Sequence, residues 1–210
     1  LAAVVSVVGI AAAVLLARDE SWPVVARTGI AALCFVATLV IARTEGDYFA
    51  PAANQNPLLH TWSLSLEEQF YFVFPALLIV CFRVGGRSRR PLWAAAVAVG
   101  SLSAASFGLA LAWSDPSSSE SLVTGSFGGP QAFAFYSLPT RAWEFGTGCL
   151  LALALARGAT ASRLVREVGA YLGLGLVGAS ALLLDGSAAF PGWLTLGPVV
   201  GTALLVFSGS

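Results

Sequence analysis

The chain reads as an all-α, polytopic transmembrane helix bundle of about seven helices. Three observations predict it. Of 210 residues, 57% are hydrophobic and only 10% charged, where a soluble domain carries about 25% charged residues. Mean hydropathy is +0.82. The apolar residues also gather in runs close to the ~20 residues that a helix needs to cross a bilayer, without the alternation of a membrane barrel.

The runs are Leu1–Ala17, Thr28–Ala42, Leu64–Phe82, Leu92–Trp113, Thr140–Ala156, Val168–Leu184 and Leu194–Phe207. Leu1–Ala17 resembles a signal-peptide core but lacks a basic segment before it, so it is read as a clipped transmembrane helix. Thr28–Ala42 is short, and a re-entrant or interfacial piece is its alternative reading. Before Leu64–Phe82, Pro57 pushes Asn56 out of helical geometry. Ser65-Leu66-Glu67-Glu68 then fits a capping box with Ser65 as N-cap and Glu68 reaching back to it. Pro75 should kink that helix. Gly146 and Gly148 in Thr140–Ala156, and Gly169, Gly173, Gly175 and Gly178 near the next run, suit close helix contact in lipid.

The stretch Asp115–Leu138 holds SDPSSSE and GSFGGPQ, a composition that favours turns. It is long for a plain connector, so a mobile flap over a site and a solvated loop are both open readings. Leu1 in place of Met, and an apolar run that stops at Ser210, predict that residues 1–210 are the central part of one integral membrane domain, truncated at both ends.

Formal net charge is zero, which leaves no basic field for nucleic acid. All eleven basic residues are arginine. If the loops alternate, Arg18, Arg27, Arg83, Arg87, Arg89, Arg90, Arg157, Arg163 and Arg166 share one side. Arg43 and Arg141 share the other with Glu45, Asp47, Asp115, Glu120 and Asp185. The positive-inside rule places the first group in the cytoplasm. Cys34, Cys81 and Cys149 each lie in an apolar run, with no metal-ligand spacing, and read as small packing residues. No metal site is expected.

Two motifs carry chemistry. The first, NPLLHTWSLSLEEQFYF (Asn56–Phe72), holds the only histidine, His60, with Trp62, Ser63 and the adjacent acids Glu67 and Glu68. Ionisable groups at the mouth of an apolar helix are costly to place, which makes them functional candidates. If the helix extends back through Ser63, then Ser63, Glu67 and Phe70 share one face. The second motif, LPTRAWEFGTGCL (Leu138–Leu150), places Arg141 and Glu144 three apart, close enough to pair. Trp143 beside them suits the interface belt. Arg141 can pair instead with Glu67 or Glu68 across helices, and the sequence does not choose.

An imidazole exchanges protons near neutral pH, and a carboxylate can orient it or act as a base in apolar surroundings. That is equipment for activating a hydroxyl toward an acyl carbonyl. His60, Glu67 and Glu68 are the candidate catalytic residues. Trp62, Ser63, Arg141, Trp143 and Glu144 are the candidate substrate-binding residues. A transporter or sensor with intramembrane charges is the alternative from a different class.

HTWSLSLEEQFYFVFP (His60–Pro75) closely resembles the signature of the acyltransferase-3 family of multi-helix membrane acyltransferases. PTRAWEFGTGCLLAL (Pro139–Leu153), and FPGW followed by GPVVGTALL (Phe190–Leu205), are similar to later blocks of that family in the same order. The resemblance implies a multi-pass bacterial plasma-membrane enzyme of about ten helices. It implies no bound cofactor, acyl-CoA (acetyl-CoA) as the cytoplasmic donor and a carbohydrate or other cell-envelope hydroxyl outside as the acceptor. Membrane lipid is the remaining expected partner. The N-terminal arginine–histidine helix pair, the arginine-rich cytoplasmic motif and the closing helices of the family pattern are absent from residues 1–210.

Overall fold

The computed structural model describes residues 7, 9–11, 15, 22–45, 56–87, 91–115, 117–184 and 190–210. Among these residues all regular structure is helical: nine α-helices and one 3-10 turn. Most of the first apolar run, Leu1–Ala17, lies outside the described residues, as do Arg18, Asp47, Arg89, Arg90 and Asp185. The chain divides into two compact units, Leu1–Val73 with Pro116–Leu138, and Phe74–Asp115 with Pro139–Ser210.

In the first unit the run expected over Thr28–Ala42 is not one helix. It is split between α1 (Trp22–Leu33, 12 residues) and α2 (Ala37–Glu45, 9 residues). At 1.5 Å per residue these measure roughly 18 and 14 Å, well short of the ~30 Å hydrocarbon core. The break is a Schellman closure. The Val36 amide donates to Ala31 O at 2.8 Å and the Phe35 amide to Ala32 O at 3.1 Å. Phe35 occupies the left-handed position with φ 58°, where glycine would ordinarily stand, so no residue type marks the break in advance.

α3 (Thr61–Arg87, 27 residues) starts one turn before the expected cap. Ser65 is therefore inside the helix and 1% exposed, and the Ser65–Glu68 capping box is corrected. The reason lies upstream. Asn56 is buried, its Oδ1 accepts from the Leu58 amide at 3.0 Å, and its Nδ2 donates to Thr28 Oγ1 at 3.1 Å. The Thr61 hydroxyl then donates to Leu58 O at 2.7 Å. The chain is already turning at Pro57–His60, so the helix is nucleated there.

Asp115–Leu138 is not a bare loop. It contains α5 (Leu122–Gly125) and α6 (Pro130–Tyr136), once α4 is assigned to Pro91–Ser114. Ser121 and Thr124 form the capping box of α5. Phe133, Ala134 and Tyr136 of α6 are buried, and Arg43 Nε of α2 donates to Ser126 O at 2.6 Å. Aromatic burial and a cationic clamp outweigh the turn-rich composition.

The second unit contains α4, α7 (Leu138–Ala156), α8 (Arg163–Leu183), the 3-10 turn Trp193–Thr195 and α9 (Leu196–Gly209). α8 begins a turn earlier than expected, behind Ser162, whose side chain accepts from the Val165 amide at 3.4 Å. α8 and α9 approach backbone to backbone: a Cβ at Gly173 would lie 2.7 Å from Gly201 O. Arg166 Nε reaches Ser208 O at 3.0 Å and ties their ends together.

Two stretches are long and apolar enough to cross a membrane, Thr61–Val84 and Pro91–Ser114, with mean hydropathy 1.5 and 1.8. Only 17% and 22% of an 18-residue apolar window in each are buried, whereas the core helix of a soluble protein would be mostly covered. Phe72, Ile79, Val80 and Phe82 on α3, and Leu172, Leu174 and Leu182 on α8, are all exposed. Apolar surface on this scale fits lipid, not water, and the chain is membrane-associated.

Candidate functional site

The first turns of α3 present two opposed faces. Thr61, Trp62, Ser65 and Leu66 are buried, while His60 and Ser63 are exposed and Glu67 and Glu68 half-buried. Gln69 continues the buried face, its Nε2 donating to Phe35 O at 2.8 Å. Trp62 packs on Phe135 and Tyr136, with ring centroids 5.0 and 5.4 Å apart. Its indole is thus part of the first unit's interior, supporting the helix from behind.

His60, Ser63 and Glu67 follow i, i+3, i+7 spacing and form one open row. The Ser63 hydroxyl donates to His60 O at 3.1 Å, which fixes its position within the row. His60 and Glu67 stand two turns apart, about 10 Å along the axis. At that separation the carboxylate is not placed to orient the imidazole directly. Glu68 is turned by a further ~100° around the helix.

The other motif belongs to the second unit. Arg141 and Glu144 pair through two bonds, Nε to Oε1 at 3.0 Å and Nη2 to Oε2 at 2.8 Å. Their side chains are 14% and 19% exposed. The fork geometry is the strong form of this pair. The Arg141 guanidinium also lies 5.3 Å from the centre of the Phe190 ring, a cation–π distance. Trp143 points elsewhere. It is buried, its backbone amide donates to Ser106 Oγ at 3.0 Å, and its ring meets Phe107 at 4.8 Å. Phe107 in turn meets Trp193 at 5.3 Å. Trp143 packs between α7 and α4, and its indole Nε1 is buried without a hydrogen-bond partner among the described residues.

Beside the Arg141–Glu144 pair lies a half-open groove of about 460 Å³, walled by α7 and α9, with Phe190 and Thr195 also in its lining. It contains neither Trp143 nor any cysteine in its lining. Among the described residues no cluster of His, Cys, Asp and Glu has the makings of a metal site.

Sequence reasoning missed Asn56, Gln69 and Phe190 as supports. The Asn-Pro dipeptide is a turn signal that points to Asn56. Nothing local marks Gln69 or Phe190, because their partners are distant in sequence.

The comparisons with known proteins agree in kind. The chain is 27% identical over 186 residues to BcsY of Komagataeibacter xylinus, named as a membrane-bound transacylase; this covers 87% of the chain and 41% of BcsY. It is 42% identical over 52 residues to the O-acetyltransferase OatA of Staphylococcus aureus (strain NCTC 8325 / PS 47), covering 25% of the chain and 8% of OatA. The chain thus spans less than half the length of either. No protein-family model and no solved structure matches it. At this distance the similarity supports membrane acyl transfer as the broad class.

Proposed function

We propose that the chain is the central part of a multi-pass bacterial plasma-membrane enzyme of the acyltransferase-3 type. It would move an acyl group, acetyl in the simplest case, from cytoplasmic acyl-CoA to a hydroxyl of an extracytoplasmic carbohydrate. The observation that carries this reading is the open row His60–Ser63–Glu67 at the mouth of a long apolar helix. Every large side chain in those turns that packs, Trp62 and Leu66 above all, faces the other way.

In this reading the His60 imidazole takes the proton of the acceptor hydroxyl as its oxygen attacks the thioester carbonyl. The carbon–oxygen bond forms, the carbon–sulfur bond breaks, and the proton passes to the departing thiolate. Ser63 and Glu67 hold the acceptor by hydrogen bonds across the gap to His60. Glu68 assists from the adjacent face. An outward-facing His60 segment is what the positive-inside rule favours for the loop arginines.

The test uses the full-length protein in membrane vesicles with radiolabelled acetyl-CoA and a cell-envelope polysaccharide acceptor. His60→Ala and Glu67→Gln should abolish label transfer at unchanged expression. Retention of transfer in both would rule out these roles. Thioester consumption separates this activity from transport, which leaves acetyl-CoA intact.

A further inference from the structure

Asn56 is 6% exposed, and apolar packing alone would not put an amide there. A buried amide is tolerated when its hydrogen bonds are made, so those bonds show what it serves. Its Oδ1 accepts from the Leu58 amide and closes an Asx turn over Pro57. A backbone N–H can only donate, so the carbonyl end of the side chain must face Leu58 and the NH2 end Thr28. Aspartate or serine closes such a turn equally well. Neither gives an N–H to Thr28 Oγ1, 3.1 Å away. The choice of asparagine therefore answers to the tether across to α1.

Thr28 lies on a face of α1 given over to this turn. Val25, Thr28 and Gly29 stand at i, i+3 and i+4, and all three are buried. Leu58 packs on Val25 in a small buried cluster, and a Cβ at Gly29 would sit 3.6 Å from Leu58 Cδ1. The turn carries this anchorage forward. The Leu59 amide donates to Asn56 O and the Thr61 amide to Leu58 O, both at 3.0 Å. The Thr61 hydroxyl joins the same Leu58 oxygen at 2.7 Å. The residues on either side of His60 are thus both bonded back to the anchored pair Asn56 and Leu58. The His60 side chain is exposed and makes no hydrogen bond or ion pair of its own among the described residues. Its place is set by its backbone.

We propose that Asn56 and Thr28 are positioning residues for the His60 imidazole, the buried bond between them fixing where the reacting nitrogen stands. The proposal rests on the acyl-transfer reading of His60. It gives α1, which bears no group of the open row, a share in the rate. Taking a proton from an acceptor hydroxyl needs the imidazole within hydrogen-bond reach. A displacement of about 1 Å, caused by a change far from the chemistry, can slow a reaction ~100-fold.

The experiment measures acyl transfer by the full-length protein in membrane vesicles, with kcat and KM for acetyl-CoA taken separately. Thr28→Val puts a methyl group in place of the hydroxyl and leaves the Asx turn intact. Asn56→Ser keeps the turn acceptor and withdraws the donor. Each should lower kcat by about 10–100-fold with KM little changed. Thr28→Ser, which keeps the acceptor, should hold kcat near the wild-type value. A contact that served stability alone would lower the melting temperature and leave the kcat of the folded protein untouched. Amide hydrogen exchange should quicken at residues 58–61 in the two slow variants and keep its wild-type rate in α3 beyond Phe70. Wild-type kcat in both Thr28→Val and Asn56→Ser, where His60→Ala has lost transfer, overturns this proposal alone. A loss that Thr28→Ser shares in full also overturns it. Retained transfer in His60→Ala removes the reading and the proposal together.

Discussion

The side-chain amide of Gln69 donates to the backbone carbonyl of Phe35 at 2.8 Å, and Phe35 is the non-glycine residue held at φ 58°. The bond joins the third turn of α3 to the break between α1 and α2. A left-handed residue costs about 1–2 kcal/mol, so the turn persists because its surroundings hold it. Phe35 is held a second way, its ring 6.2 Å from that of Phe72.

Gln69→Leu removes the donor and should destabilise the full-length protein by about 1 kcal/mol. Gln69→Glu should cost more, because a carboxylate faces the Phe35 carbonyl without a proton to give. Thermal unfolding in detergent distinguishes the two, and equal melting temperatures for all three proteins would show that the bond holds nothing.

Stability and activity should separate at neighbouring positions on α3. Trp62→Ala deletes a buried indole packed on Phe135 and Tyr136 and should cost about 3 kcal/mol. Trp62→Phe, which keeps much of the packing, should leave acyl transfer within a few-fold of wild type. His60→Ala lies on the open face and should shift stability by no more than ~0.5 kcal/mol, while lowering transfer by roughly 10²–10⁴-fold. A Trp62→Phe variant that folds normally and loses all transfer would return Trp62 to the substrate.

These contrasts show how much was legible in the sequence. Helix class, the long apolar helices and the grouping of ionisable residues follow from composition and spacing, which are local properties. The Arg141–Glu144 pair was legible for the same reason, being three residues apart. The sequence could not tell which tryptophans face inward, since that depends on Phe135, Tyr136 and Phe107, brought in by other elements. Nor could it reveal the break at Phe35, where tertiary bonds hold a conformation that the residue type disfavours.

The Arg141–Glu144 fork predicts a non-additive pair. Arg141→Ala leaves a mostly buried carboxylate without its guanidinium and should cost about 2 kcal/mol. Glu144→Ala should cost a similar amount, and the double variant less than the sum, with a coupling of about 1 kcal/mol. Arg141→Lys keeps the charge but loses the two-pronged geometry, and should recover less than half of the loss. Unfolding of the four proteins in one detergent gives the cycle directly; additive losses would mean the pair contributes no coupling.

Among the glycines around α8 the structure makes a sharper distinction than sequence can. Gly173 and Gly201 face each other, and a Cβ at Gly201 would stand 2.9 Å from Gly173 O. Backbone cannot yield as a flexible side chain does. Gly173→Ala should therefore force α8 and α9 apart and cost about 1–3 kcal/mol. Gly175 is two residues along the same helix, and a Cβ there meets nothing within 4 Å. Gly175→Ala should be neutral or stabilise by up to ~1 kcal/mol through helix propensity alone. The pair forms an internally controlled test, because both substitutions add the same atoms to the same helix. A loss at Gly175 matching that at Gly173 would mean that glycine serves α8 through its backbone freedom, and that the close approach to α9 is not what holds the two helices together.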